Sequence, residues 1–155
     1  MIGRSYTTFV IDTSEVEDML KEAAVAPRKV VARAARAGAR IAMERSKEIL
    51  RKAPHSYTMR FKDGNTWSKQ DIIKNLKVKL ERGKRKQKRV AQVRIKDWRV
   101  ALYANFPEYG YTNPRTGKHY EATHFMREGL TQTRKQVEEI MLETIAKELD
   151  KIKSK

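Results

Sequence analysis

The densest cluster of chemically active side chains in the chain is basic. Residues 82–89 read RGKRKQKR, and six of the eight are cationic: Arg82, Lys84, Arg85, Lys86, Lys88 and Arg89. Clustered cations neutralise nucleic-acid phosphates, with an affinity that falls steeply as salt rises. No groove-reading element or stacking aromatic accompanies them, so a DNA contact here would be to the backbone and without sequence preference. The same charge also keeps a turn soluble and unpaired, and the sequence leaves both interpretations open.

A second group of residues surrounds one carboxylate, Glu108, in the segment YANFPEYG at residues 103–110. Its aromatic side chains, together with Phe125, bury well, and we expect them in the core. Gly110 is expected to supply an unusual φ at a corner. For Glu108 we expect burial and hydrogen bonds from backbone donors or an Arg, in preference to a catalytic role.

Residue patterns typical of enzymes and metal sites are missing from the sequence. There is no Cys and no Gly-x-Ser-x-Gly sequence, and the three His stand at positions 55, 119 and 124. His119 and His124, combined with Glu108 or Glu121, match no helical spacing of metal ligands. We therefore predict no catalytic residue, no metal and no cofactor.

Composition makes this a strongly basic protein, for which an anionic partner has to be considered. The 155 residues suit one domain with a real core, and the formal net charge is +16. The charge is uneven, because residues 124–151 hold five Lys or Arg against six Asp or Glu. No apolar run approaches the roughly 20 residues of a membrane span, and the N-terminus lacks the apolar core of a targeting segment.

In the N-terminal half, the pattern predicts a strand at 6–11 and a helix from Ser14 to about residue 24, with Ser14 and Glu17 as a capping box. Apolar spacings of three and four predict an Ala-rich helix over 28–52. Five of its cations form a stripe that is either a solvated face or a surface facing DNA or a partner: Arg33, Arg36, Arg40, Lys47 and Arg51. Residues 55–68 read as a long loop with a short extended piece at 57–61.

In the C-terminal half, alternating apolar residues at 76–80 and 91–95 predict an antiparallel hairpin with the basic cluster at its tip. Residues 98–102 are expected to form a third strand, and residues 112–117 a turn-rich loop. One long amphipathic helix is predicted over 123–152, followed by a frayed tail at 153–155. The fold class is a single α+β domain over 1–155: a small antiparallel β-sheet packed against an Ala-rich helix and a long C-terminal helix.

Eight residues carry a resemblance to a known family: Tyr103, Ala104, Glu108, Tyr109, Gly110, Phe125, Met126 and Arg127. They resemble the signature of the tailed-phage neck family, whose members are called tail-completion or head-tail joining proteins. That signature reads Tyr-Ala, three residues, Glu-aromatic-Gly-Thr, a loop, then Pro-Phe-Leu-Arg-Pro-Ala-Leu. This chain departs from it with His124 in place of the first Pro and with Glu128-Gly129 in place of Pro-Ala.

The resemblance implies a structural, non-enzymatic component of a phage or prophage neck. It implies a homo-oligomeric, hexameric ring around the DNA path, and contacts with head-closure and tail proteins. It also implies a location in the host bacterial cytoplasm during assembly and in the virion neck afterwards, with no membrane partner. The residues alone leave an alternative, a free-standing nonspecific nucleic-acid-binding protein that uses the basic hairpin tip.

Overall fold

The computed structural model describes residues 9–12, 27–54, 58–60, 64, 66–82 and 89–153. Four helices are described: α1 Pro27–Lys52, α2 Lys69–Asn75, α3 Trp98–Tyr109 and α4 Phe125–Lys153. Seven strands accompany them: β1 Phe9–Asp12, β2 Thr58–Arg60, β3 Thr66–Ser68, β4 Leu76–Arg82, β5 Arg89–Ile95, β6 Tyr111–Thr112 and β7 His119–Tyr120. No helix in these ranges has the length and apolarity needed to cross a membrane.

The main sheet has three strands in the order β1-β5-β4, and both pairings are antiparallel. Val78 lies opposite Val93, and Leu80 lies opposite Ala91, so the apolar positions of the hairpin share one face. Ala91 and Val93 on that face are fully buried. The predicted hairpin is therefore confirmed, and β1 overlaps the strand predicted at 6–11 at residues 9–11 and extends to Asp12.

Helix α1 supplies the centre of the core. Its first residue is Pro27, where a missing N–H costs nothing because the first N–H groups of a helix have no intrahelical partner. The helix ends at Lys52, directly before Ala53-Pro54, because a residue that precedes Pro disfavours the α conformation. Four of its alanines are fully buried: Ala34, Ala35, Ala39 and Ala42. The helix packs against β4 and β5 and also runs along α4. The predicted helix over 28–52 is confirmed.

Helix α4 lies antiparallel to α1 at close range, because two glycines remove side-chain bulk from the contact. At Gly38 an added Cβ would lie 2.9 Å from the Val137 side chain, and at Gly129 it would lie 2.9 Å from the backbone nitrogen of Ser46. Helix α4 also contacts β1. The predicted long helix is confirmed, and with it the α+β class in which the sheet packs with an Ala-rich and a long C-terminal helix.

The strand predicted at 98–102 is wrong, because these residues begin helix α3. Asp97 is its N-cap, and its side chain accepts a hydrogen bond from the Arg99 backbone nitrogen at 2.9 Å. The third place in the sheet is taken by β1, which pairs with β5.

The segment predicted as a loop at 55–68 contains a short antiparallel pairing of β2 with β3. Residues 58–60 fall inside the extended piece expected at 57–61. Helix α2 follows directly, and the Asp71 carboxylate accepts from both the nitrogen and the hydroxyl of Ser68 at 2.8 Å. The helix predicted at 14–24 and residues 154–155 of the predicted tail lie outside the described residues.

Candidate functional site

Glu108 joins the two halves of the motif that resembles the neck family. Its side chain is 3% exposed, and its Oε2 accepts a hydrogen bond from the Met126 backbone nitrogen at 2.9 Å. Oε1 accepts from the Arg127 nitrogen at 3.4 Å. The first N–H groups of a helix lack intrahelical acceptors, and a carboxylate there also meets the positive end of the helix dipole. The expectation that Glu108 binds backbone donors is confirmed.

Backbone contacts fix the same junction, residues 106–110 and 122–127, which we call the elbow. The Pro107 carbonyl accepts from the Thr123 nitrogen at 2.8 Å and from the Thr123 hydroxyl at 2.7 Å. Gly110 has a φ of 80°, and an added Cβ would lie 3.0 Å from the Tyr120 carbonyl oxygen. The unusual φ predicted at Gly110 is confirmed. The end of α3 and the start of α4 are therefore held at a fixed angle.

His124 has a left-handed backbone conformation that the sequence of the elbow does not predict. Its φ of 47° is the one positive value for a residue other than Gly within the described ranges. The family signature places Pro here, and a Pro ring fixes φ near −65°, so Pro does not fit this backbone. The His124 nitrogen donates to the Glu108 carbonyl at 3.3 Å, and its own carbonyl accepts from Glu128 at 2.7 Å.

The aromatic residues of the motif divide between core and surface. Tyr103 and Phe125 are buried as expected, as are Ala104 and Met126, whereas Arg127 is exposed. Tyr109 is 62% exposed, so the expectation that it belongs to the core is wrong. The reason is that α3 continues through residue 109, and six residues at about 3.6 per turn place Tyr109 roughly a third of a turn around the helix from Tyr103, away from the buried side.

The outer face of the β4–β5 hairpin is basic. Lys77 lies opposite Arg94 and Lys79 lies opposite Gln92, with Lys96 just beyond the end of β5. We call Lys77, Lys79, Arg94 and Lys96 the basic sheet face. One acid interrupts it, because Glu81 lies 2.7 Å from the Lys79 ammonium and 3.9 Å from Arg94. The hydrogen bond from Lys79, with a smaller effect of Arg94, lowers the pKa of Glu81.

The basic tip itself is described only at its two ends. Arg82 and Arg89 are the last paired residues of β4 and β5, opposite one another in register. Lys84, Arg85, Lys86 and Lys88 lie outside the described residues, so their prediction stays a prediction. The basic sheet face therefore leads to the strand ends that residues 83–88 connect.

The cationic stripe of α1 is partly neutralised. Arg33 forms an ion pair with Glu148, and Lys47 lies 2.8 Å from Glu44. Arg36 and two further members, Arg40 and Arg51, are exposed and have no carboxylate within ion-pair distance among the described residues. The stripe is therefore exposed along most of its length, and its contact with DNA or a partner stays a prediction.

A groove of about 670 Å³ lies between α1 and α4. It is lined by Arg40, Ile41, Glu44, Arg45, Glu48, Gln132, Thr133 and Gln136. Its two carboxylates pair with neighbouring cations, since Glu44 bonds Lys47 and Glu48 bonds Arg45, each at 2.8 Å. Across the described ranges, no cluster of three or more His, Asp or Glu is placed to hold a metal ion. Both carboxylates of the groove are therefore already paired with cations of the same helix.

Comparisons with known proteins returned no match, whether with family models, with curated proteins or with solved structures.

Proposed function

We propose that the protein is a structural component of a phage or prophage neck, completing or joining the head-tail interface as part of a ring around the DNA path. The observation that carries this proposal is the Glu108 carboxylate, which bonds the first turn of α4 while 3% exposed. Glu108, the carboxylate of the motif that resembles the neck family, thereby fixes the angle between α3 and α4. A buried carboxylate with this structural role fits a protein that assembles with others and has no catalytic function.

The position of the cations supports a path for DNA along this subunit. Lys77 and Lys96 are exposed and have no ion-pair partner among the described residues, and the basic sheet face leads toward the Arg82 and Arg89 strand ends. A surface lined with one sign of charge attracts a polyanion without reading its sequence. In the ring, this face and the tip would line the lumen.

Genetic complementation tests the neck role directly. Deleting the gene from its phage or prophage should leave filled heads and separate tails that electron microscopy can count, and the wild-type gene should restore joined particles. Normal numbers of joined, infectious particles without the gene would refute the proposal.

Charge reversal then tests the use of the basic tip. Replacing Lys84, Lys86 and Lys88 by Glu should leave folding intact, because these residues connect two paired strands, and should impair assembly or DNA passage. The matched control is Lys→Gln at the same three positions, which removes charge without reversing it and should have a smaller effect. An unchanged particle yield for the Glu variant would remove the DNA-facing role of the tip.

The basic sheet face also favours a second candidate, a free-standing protein that binds nucleic acid without sequence preference. Such a protein should bind duplex DNA as a monomer, with log affinity falling by about 0.9 per phosphate neutralised for each log unit of salt. Filter binding across a salt series measures that slope. Weak binding by the monomer favours the neck role, and tight monomer binding that weakens in Lys77→Glu and Lys79→Glu variants favours the alternative.

A further inference from the structure

The outer edge of strand β4 carries backbone groups that no described strand pairs. β4 is an end strand of the main sheet, with β5 as its neighbour there, and their pairing runs without a bulge over all 7 residues of β4. The Lys96 nitrogen donates to the Asn75 carbonyl at 2.9 Å, so the odd-numbered residues of β4 are those that bond β5. The N–H and C=O groups of Val78 and Leu80 therefore point away from β5.

The same edge is incompletely covered. Within the described ranges, neither Val78 nor Leu80 has a backbone hydrogen-bond partner at its outward N–H and C=O groups. Their side chains, on the face that α1 packs against, are partly buried, whereas Val93 and Ala91 opposite them are fully buried. An added strand would bond the free N–H and C=O groups and cover the apolar side chains. The edge of β4 thus has the form of a binding site for an extended segment.

The opposite face of the sheet decides the charge of that segment. On β4 it carries Lys77 and Lys79, which are exposed, and Glu81. Glu81 is already paired, because it lies 2.7 Å from the Lys79 ammonium and 3.9 Å from Arg94 on β5. Lys77 has no carboxylate within ion-pair distance among the described residues. The edge therefore keeps an excess of positive charge once its own acid is counted.

Two further acids flank the hairpin in sequence, and both cap helices. Asp71 accepts from Ser68 at 2.8 Å before α2, and Asp97 is the N-cap of α3. Lys74 and Lys96, which are exposed, stand at the same end of the hairpin. Opposite charges on neighbouring strands stabilise a pairing and like charges destabilise it, so lysines on an edge strand disfavour a basic strand and favour an acidic one. Because successive side chains of a strand point to opposite faces, the segment that fits this edge alternates acidic with apolar residues.

We propose that the β4 edge binds an extended segment of a partner protein in which acidic and apolar residues alternate. The acidic residues face Lys77 and Lys79, and the apolar residues cover Val78 and Leu80 beside α1. The described strands of a second copy do not fit, since the two longest, β4 and β5, read LKVKLER and RVAQVRI and are basic. The inference goes beyond the neck role and does not depend on it.

Amide hydrogen exchange followed by NMR tests the free edge. In the isolated protein the N–H groups of Lys77 and Lys79 should exchange slowly, because they bond β5, and those of Val78 and Leu80 should exchange at least about tenfold faster. Equal protection of all four would show that the edge is already covered and would overturn the proposal. Protection of Val78 and Leu80 that rises with protein concentration would assign the edge to a second copy, which also overturns it.

A peptide titration tests the chemistry of the partner. The probe is the fluorescein-labelled peptide EVEIEVE, and its matched control is EEEEVVI, which has the same composition without the alternation. Fluorescence anisotropy should show binding of EVEIEVE at least about tenfold tighter than that of the control. The alternating peptide alone should also slow exchange at Val78 and Leu80. Equal affinity of the two peptides would show a contact made by charge alone and would refute strand addition.

Substitutions in β4 identify the groups that bind the peptide. Val78→Pro removes one outward N–H and leaves the bonds between β4 and β5 in place, so it should weaken binding of EVEIEVE at least about fivefold. Val78→Ile keeps that N–H and should stay within about twofold of the wild type. Lys77→Glu should weaken binding at least about threefold, because it places like charges opposite each other. Unchanged binding in Val78→Pro contradicts the proposal.

Wild-type exchange with and without the peptide decides the question if Val78→Pro does not fold. Exchange at Val78 and Leu80 that stays fast at a saturating concentration of EVEIEVE overturns the proposal. If the peptide protects both residues but deletion of the gene leaves joined particles intact, the binding edge stands and the neck role alone fails.

Discussion

Replacing Glu108 by Ala is expected to cost about 2–4 kcal/mol of unfolding free energy. The Met126 N–H is buried, and leaving it without an acceptor costs about 1–3 kcal/mol. The Arg127 N–H is only partly buried and its bond is longer, at 3.4 Å, so it adds less. Removing the one buried methylene, Cγ, adds about 0.8 kcal/mol. The total is a large part of the 5–15 kcal/mol that typically holds a domain folded.

The loss of unfolding free energy is measured by urea unfolding that is monitored by circular dichroism. With a slope of about 2 kcal/mol per M urea, Glu108→Ala should lower the midpoint of the unfolding transition by roughly 1–2 M. Glu108→Gln keeps the methylenes and one acceptor oxygen, so it should cost about 1–2 kcal/mol. The matched control is Glu138→Gln at an exposed position of α4. It loses only an ion pair with Arg134 and should cost less than about 0.5 kcal/mol. If Glu108→Ala is no more destabilising than this control, the carboxylate does not fix the elbow.

Three further outcomes follow from contacts in the structure. Gly129→Ala should lose about 1–3 kcal/mol in a thermal or urea melt, because its Cβ would overlap the Ser46 hydroxyl, and adding Ser46→Ala should restore only part of the loss, since the backbone nitrogen stays 2.9 Å away. His124→Pro should lose about 3 kcal/mol or more, while His124→Gly should hold or gain stability, because φ is 47°; equal losses in both would show that the backbone there is not left-handed. Glu81 has a pKa held below its usual value of 4.5, so its contribution is present above that pH and lost as pH falls below it. Since the group is partly exposed, the contribution is under about 1 kcal/mol, and Glu81→Gln should flatten that part of the stability-pH curve by no more than this.

The long helices and the hairpin could be predicted from sequence because each has one buried side and clear ends. Pro27 and Pro54 bound α1, and alternating apolar residues mark β4 and β5. The role of Glu108 was accessible for a related reason, since a carboxylate between aromatic residues needs hydrogen-bond donors once it is buried.

Helix α3 was missed because its apolar residues occur on both sides, which removes the periodicity that identifies a helix. The one residue that indicated the start of a helix was Asp97, whose side chain accepts from the Arg99 nitrogen. Asp is equally common in turns, so it did not distinguish the two structures. The exposure of Tyr109 depended on that missed helix. The positive φ of His124 occurs where its nitrogen donates to the Glu108 carbonyl, a contact between distant parts of the sequence that forms only in the folded chain.

The four fully buried alanines of α1 act as a spacer of minimum thickness within the subunit. Almost every substitution there enlarges the side chain, and a close-packed interior has no room to absorb the added volume. Separation between the layers therefore cannot be adjusted when a neighbour docks. We expect the subunit to bind a partner as a rigid block, so that surface residues alone decide the geometry of the contact.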